Sequence, residues 1–290
     1  MTGGAGAIGS RLVRRLLEDP DTERVDVVDD LSSGYRWLLP EDVRVGFEQL
    51  DVGRDDLSIE PGTGVYHLAA HFANENSVDH PQADLLTNGM GTLRVLQAAA
   101  GAKARFVAFA SAGCAAGHED TPYQIHKSLG EAYCRHFSGY VPTSVFRFHN
   151  SYGPGELPGP YRNVIPRWIW AAMHDEDLVV FRDGEDARDF VYVEDLVSVL
   201  LQTGRGVVEI GTGHLTKTRN VAEMIVAKTE SRSRVVVTSG GRRWDHPGRA
   251  AAATSTDQTA PEDGLDRTIA WFRANYEAIK GSLIRQENVK

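Results

Sequence analysis

The hydrophobic pattern of the first 150 residues alternates between two periods. Ser10-Arg11-Leu12-Val13-Arg14-Arg15-Leu16-Leu17 has the apolar spacing of a helix, and Val25–Val28 follows as a strand ending in the turn Leu31–Gly34. Val43–Phe47 reads as a weaker strand and Gly64–Ala70 as a short buried one. Leu93, Leu96 and Ala100 then put a helix on 91–100. Arg105–Ser111 predicts a strand, 124–137 a helix and Thr143–Phe148 another strand. This βαβα alternation implies an α/β protein with a doubly wound parallel sheet, helices on both faces and ligands at the carboxyl ends of the strands. Ser111 and Asn150 sit at such ends.

From about Ser151 the pattern changes. Gly153-Pro154-Gly155 and Pro158-Gly159-Pro160 mark a loop-rich stretch, and Leu178–Phe181, Val207–Ile210 and Val235–Thr238 read as short strands. Ile269, Phe272 and Tyr276 predict a final helix over Leu265–Ile279, and 249–261 reads as poorly ordered. Residues 1–150 therefore form one expected lobe. Residues 151–290 form a smaller, mixed α/β lobe, partly interleaved with the first, that completes a cleft.

Chemistry enters at the first helix. Gly3, Gly6 and Gly9 have the spacing of a turn that lays backbone N–H groups and a helix N-terminus against a pyrophosphate. The strand after it ends in Asp29, twenty residues beyond Gly9, where a carboxylate can accept hydrogen bonds from an adenosine ribose. Together they point to a Rossmann-type lobe for NAD, the acid favouring NAD over NADP. Such a turn should follow a central strand, and only Met1 and Thr2 precede Gly3. The expectation is that the natural chain begins upstream of Met1.

With 290 residues, 41% of them hydrophobic, the chain can bury a full core. A net charge of −9 argues against nucleic acid as a partner. Cys114 and Cys134 lack metal spacing and suit a reducing compartment, the histidines form no metal motif, and no apolar run is long enough to span a membrane. A cytoplasmic protein without a metal site is the expectation.

Tyr123 and Lys127 lie four residues apart, on one helical face. A tyrosine of ordinary pKa is a poor base near neutrality, and a neighbouring ammonium stabilises its phenolate.

At this point the chain resembles a known family, the extended short-chain dehydrogenase/reductases that act on nucleotide sugars. The resemblance rests on Thr2–Gly9, Asp29-Asp30-Leu31-Ser32-Ser33-Gly34, His67-Leu68-Ala69-Ala70, Asn88 and Pro122–Lys127. It continues through Arg147–Gly155 and Arg188-Asp189-Phe190-Val191-Tyr192-Val193-Glu194-Asp195.

The resemblance implies NAD held by Gly3, Gly6, Ala7, Ile8, Gly9, Asp29, Asp30, Ser33, Gly34, Asp51, Val52, Leu68, Ala69, Ala70 and Asn88, together with Tyr123 and Lys127. It implies a UDP- or dTDP-linked sugar bound by Asn150, Asn163, Arg188 and Arg243 or Arg242. For Arg188-Asp189 an ion pair joining the lobes, and for Asn150 a capping or turn role, are the structural alternatives. Tyr123 would take the proton of a sugar hydroxyl at C4, Lys127 would hold the cofactor ribose, and turnover of a transient 4-keto sugar would invert C4. Dimerisation through the helix bearing Tyr123 and the helix after Gly91 is also implied.

The pattern departs at Ser111-Ala112-Gly113-Cys114. Family members carry a serine or threonine at the position of Ala112, so Ser111 is the candidate third catalytic residue, although adjacent strand side chains point apart. Gly113 and Cys114 stand where 4,6-dehydratases carry Asp-Glu, which excludes ordinary dehydration through that pair. The segment from Gly117 to Tyr123 is short, which implies a more open sugar site. Epimerisation is the leading reading; another 4-keto reaction (dehydration, decarboxylation or reduction) and a non-catalytic NAD-binding scaffold are the alternatives.

Overall fold

The structure is a computed structural model that describes residues 1–115, 117–204, 206–241, 248–251 and 258–288. Two compact units emerge: Met1–Phe148 with Val197–Ile210, and His149–Leu196 with Gly211–Lys290.

The first unit is built on a parallel sheet. Helix α1 (Ala7–Leu17) precedes strands β1 (Val25–Val28), β2 (Val45–Glu48) and β3 (Gly64–His67). Helix α2 (Thr92–Gly101), strand β4 (Phe106–Ala112), helix α3 (Pro122–Phe137) and strand β5 (Thr143–Phe148) follow. The last strand, β6 (Val207–Ile210), pairs in parallel with β5. Val207–Ile210 had been expected in the second lobe. Its alternating apolar residues instead extend the first sheet, because the chain returns there after the intervening segment.

β2 pairs with β1, and β3-β4-β5-β6 form a continuous run. Thr2 bridges the two groups, pairing in parallel with both Val28 and His67. Its backbone accepts from Leu68 N (3.0 Å) and donates to Tyr66 O (3.0 Å), while Gly3 N donates to Val28 O (2.8 Å). The residues before the glycine turn thus occupy the central position of the sheet.

Alternation along the strands decides what faces α2 and α3. Val65, Val107, Phe109 and Val145 join Val95, Leu96, Ala99 and Cys134 of those helices in one buried cluster. On β1, Val25 and Val27 pack with Val13 of α1 and Ala5. Thr121 caps α3 through a reciprocal box with Gln124, and Pro122 occupies its first turn, where a missing N–H costs nothing.

The second unit is mixed α/β, as expected. Asn150–Tyr152 pairs in parallel with Phe190–Tyr192, and Leu178–Val180 with Val235–Val237. Helices Val164–Ala172, Thr218–Thr229 and Pro261–Ala274 bury Ile165, Ile169, Ile225, Ile269 and Phe272. The predicted single helix over Leu265–Ile279 is broken: Asn275 turns its side chain back to Trp271 O (2.8 Å), and a new helix begins at Tyr276. The stretch 249–261, expected to be poorly ordered, lies partly outside the described residues. Among the described residues, no helix is long and apolar enough to cross a membrane.

Candidate active site

The glycine turn is shaped by close contacts. Gly3 adopts φ +69°, and a side chain there would lie 2.4 Å from Ala69 N. At Gly9 a Cβ would stand 2.2 Å from Gly3 O, so the helix and the turn approach each other more closely than any other residue permits. A Cβ at Gly6 would meet only Gly3 O, at 3.4 Å, so that side of the turn is open. Gly6 caps α1 without a side-chain hydrogen bond, and Ala7 and Ile8 begin the helix with no acid in its first turn. An open glycine at the N-terminus of an uncapped helix fits the pyrophosphate of a dinucleotide.

Asp29 is buried at the end of β1, where its two oxygens accept from Ala5 N and Leu31 N, both at 2.9 Å. Burial raises its pKa, and the two backbone bonds oppose the rise. Two of its four acceptor positions remain for ribose hydroxyls. Gly34 leaves room for this carboxylate, since a Cβ would come within 2.7 Å of Asp29 Oδ1. Asp30 closes a local turn onto Ser32 (N at 2.8 Å, Oγ at 2.6 Å), with Ser33 next in the loop. Asp51 accepts from Gly53 N (2.8 Å) and pairs with Arg54, while Val52 is buried in the core.

Leu68, Ala69 and Ala70 are half-buried just beyond β3. Beneath them runs a chain of bonds whose proton positions are mutually determined. Thr92 Oγ1 donates to Asn88 O (2.7 Å), so it accepts from His67 Nε2 (3.0 Å); His67 Nδ1 then accepts from Thr2 Oγ1 (2.7 Å). Burial holds His67 neutral, its pKa pushed down to about 3. Asn88 is fully engaged: Oδ1 accepts from His71 N (3.1 Å), and Nδ2 donates to His71 O (3.0 Å) and Asp84 Oδ2 (2.7 Å). Its side chain therefore shapes the loop after β3.

Tyr123 and Lys127 are brought together as their spacing predicts. Both are buried on the inner face of α3, with Lys127 Nζ 5.7 Å from the Tyr123 ring centre and 5.3 Å from that of Phe109. Lys127 donates to Ala110 O (2.9 Å). Burial pushes the lysine down to about 8 and holds Tyr123 well above its ordinary value. Gly130 lets Phe109 lie against the helix, since a Cβ would meet Phe109 Cζ at 2.5 Å.

Ser111 does not join this pair. Its hydroxyl donates to Glu131 Oε1 (2.6 Å), and that carboxylate also accepts from Arg147 Nε (2.9 Å) and Nη2 (2.7 Å). Ala112 instead packs with Tyr123 and Ala115, and Phe72 stands edge-on to the tyrosine at 6.1 Å. Ser111 and Phe109 reach the Gly130–Glu131 part of α3, whereas Ala112, one residue on, lies against Tyr123 near the start of the helix. The expectation that Ser111 replaces the missing serine is corrected accordingly. Of Glu131 and Arg147, which the sequence reading had not singled out, only Glu131 had a legible signal, lying four residues beyond Lys127. The structure adds that Ser111 and Arg147 are register partners on adjacent strands.

In the second unit, Asn150 donates from its backbone to Asp189 O (3.0 Å), with a longer side-chain bond to the same oxygen (3.4 Å). Asn163 Nδ2 donates to Glu156 Oε1 (2.9 Å) and Ser151 O (3.4 Å). Glu156 is buried, and burial raises its pKa to about 7. Arg188 pairs with Asp186 and bonds Ala187 O (3.0 Å). Asp189 is buried and accepts from Thr212 N and Oγ1, Gly213 N and Ala251 N. Arg243 and Arg242 lie outside the described residues. Among the described residues, no three metal-ligating side chains gather to hold an ion.

A parallel sheet with a glycine turn, an acid ending the next strand and a buried Tyr–Lys pair define a Rossmann-fold, dinucleotide-dependent enzyme. Residues 1–222 match the NAD dependent epimerase/dehydratase family, and the chain belongs to it. It is 29% identical to a UDP-N-acetyl-alpha-D-glucosaminuronate decarboxylase of Bacillus cytotoxicus, over 94% of this chain and 97% of that one. It is 30% identical to a UDP-glucose 4-epimerase of Mycolicibacterium smegmatis, with the same two coverages. Among solved structures, WbmF of Bordetella bronchiseptica in complex with NAD+ and UDP superposes with a TM-score of 0.84 at 29% identity. That match covers 99% of this chain and 96% of WbmF. The chain is thus an enzyme of an NAD-dependent family, which sets aside the scaffold alternative.

Proposed function

We propose that this enzyme epimerises a UDP- or dTDP-linked sugar at C4. The observation that carries the reading is the buried Tyr123–Lys127 pair on the first unit that also bears the glycine turn and Asp29. NAD, when bound, would supply the hydride acceptor and donor for the change at C4. Gly6, Ala7 and Ile8 would face its pyrophosphate, Asp29 its adenosine ribose and Lys127 its second ribose.

Tyr123 takes the proton of the C4 hydroxyl as a ketone forms and gives it back when C4 is reduced on its other face. To accept that proton Tyr123 must first have lost its own to solvent and stand as the phenolate, a form its apolar surrounding disfavours. Positive charge must therefore approach it before it can act, and the Lys127 ammonium supplies part of that charge. Ala112 offers the sugar no hydroxyl, so the proton transfer rests on Tyr123 without the usual serine or threonine partner. Asn150, Asn163, Arg188 and Arg243 are the residues proposed to hold the nucleotide sugar.

We read the enzyme as a cytoplasmic homodimer. Exposed Leu85 and Met90, together with Ile125 on α3, supply an apolar surface for the pairing, and neither cysteine is in a disulfide.

A second reading, decarboxylation of a nucleotide-sugar uronate through a 4-keto sugar, is favoured by the likeness to the Bacillus cytotoxicus decarboxylase. The test is incubation with a panel of UDP- and dTDP-sugars, uronates included, followed by NMR of the products. A C4-inverted sugar without net NADH is the expected result, and release of CO2 from a uronate establishes the second reading. Tyr123→Phe should lower turnover by about 10³-fold while NAD is retained. Undiminished turnover removes Tyr123 as the base.

A further inference from the structure

Three successive residues of β4 each hold a different point on α3. Phe109 lies against Gly130, where even a Cβ would meet its ring at 2.5 Å. Ala110 O accepts from the Lys127 ammonium (2.9 Å), and Ser111 Oγ donates to Glu131 Oε1 (2.6 Å). Lys127 and Glu131 stand one helical turn apart, so the two hydrogen bonds stitch one face of the helix to adjacent residues of the strand. Phe109 limits how near the helix can come, and the bonds fix how far along the strand it sits.

Glu131 is the junction of this stitch. Ser111, Arg147 and Glu209 are register partners across β4, β5 and β6, a polar row in the sheet. Arg147 gives Glu131 two bonds, and its Nη1 lies 3.8 Å from Glu209 Oε1, so the carboxylate that receives Ser111 is itself braced from the sheet. Apolar side chains of similar volume often join such elements without loss of stability. Apolar contacts slide, however, whereas hydrogen bonds are directional.

We propose that Glu131 is a positioning residue for the cofactor site: braced by Arg147, it holds Ser111 and with it the Ala110 carbonyl, which in turn sets the Lys127 ammonium. One Lys127 proton is spent on Ala110 O, which leaves the other two for the hydroxyls of a cofactor ribose. A lysine displaced along the strand would keep its charge and lose that aim. The inference rests on the reading of Lys127 as a contact of NAD.

The experiment is equilibrium dialysis of the full chain against labelled NAD, without sugar, with thermal unfolding run on the same samples. Ser111→Ala cuts the bond to the strand but leaves Glu131 both bonds from Arg147, and NAD affinity should fall about tenfold. Glu131→Leu combined with Arg147→Leu removes the brace without stranding a charge on either side of it. This double variant should be about as stable as wild type yet bind NAD as weakly as Ser111→Ala, and it stands in for that variant if Ser111→Ala does not fold. If the placement of Lys127 carries the effect, Ser111→Ala added to Lys127→Met should weaken NAD no further than Lys127→Met alone. Unchanged NAD affinity in the folded variants, or the same loss repeated in the Lys127→Met background, overturns the proposal. A Lys127→Met protein that binds NAD like wild type removes the reading of Lys127 itself, and the proposal with it. Because no sugar is present, both results are independent of epimerisation, whose own failure would show as absence of product from the wild-type enzyme.

Discussion

Arg147→Met breaks an ion pair whose carboxylate is buried in the first unit. Glu131 is only 4% exposed and receives two charge-assisted bonds from Arg147, at 2.9 and 2.7 Å, besides the one from Ser111. Methionine fills much of the arginine's volume but leaves the carboxylate with Ser111 alone. Breaking a buried pair in this way costs roughly 3–5 kcal/mol. Arg147 is itself about a quarter exposed and water can partly replace it, so the lower figure, about 3 kcal/mol, is the better expectation. At a few degrees per kcal/mol, Tm should fall by about 6–10 °C.

The pH dependence gives a second handle. Burial raises the Glu131 pKa, but the bonds from Arg147 and Ser111 more than offset it, so the net shift is downward. A depressed carboxylate adds stability above its unfolded pKa, and that stability is lost as pH falls through the folded value. In Arg147→Met burial dominates instead, so the gap between variant and wild type should narrow as pH is lowered from 7 toward 4. Adding Glu131→Gln to Arg147→Met should recover most of the loss, since no buried charge then remains. Thermal and urea unfolding across pH, followed by circular dichroism, measures all of this. A single variant costing under about 1 kcal/mol, or a double variant as unstable as the single, refutes the reasoning.

Two further predictions concern the reaction and the second unit. Ala112→Ser places a hydroxyl beside Tyr123 and should raise kcat by about 10- to 100-fold in the NMR product assay, whereas unchanged kcat means the reaction makes no use of a hydroxyl there. Glu156, raised to about 7, binds a proton more tightly folded than unfolded; its contribution is complete below pH 4.5 and lost as pH rises through 7. Glu156→Gln should therefore match wild type in urea unfolding at pH 4.5 and exceed it by about 3 kcal/mol at pH 8, and equal stability at pH 8 would discount the buried charge.

Much of the site was legible because it is local. The glycine turn, Asp29 and the Tyr123–Lys127 pair each depend on a few residues of known spacing, and helical and strand periods convert that spacing directly into shared faces. Thr143–Phe148 and Val25–Val28 were likewise bounded correctly, being apolar runs closed by turn residues. Parallel pairing gave no such signal. Val207–Ile210 joins a sheet whose neighbouring strand ends about sixty residues earlier, and its destination depends on the path of the chain between them.

The sequence by itself determined the class of fold, the glycine turn and the shared helical face of Tyr123 and Lys127, since these follow from short-range geometry. Only the tertiary structure decided what surrounds them. Ser111 was a fair candidate until Glu131, 20 residues away and itself held by Arg147, engaged its hydroxyl. Asp84, lying 42 residues before His126, had no mark of a partner there until folding brought the two together. Burial turns such distant polar residues into obligatory partners: an unpaired charge in the interior is costly, and packing alone determines which donor is there to meet it.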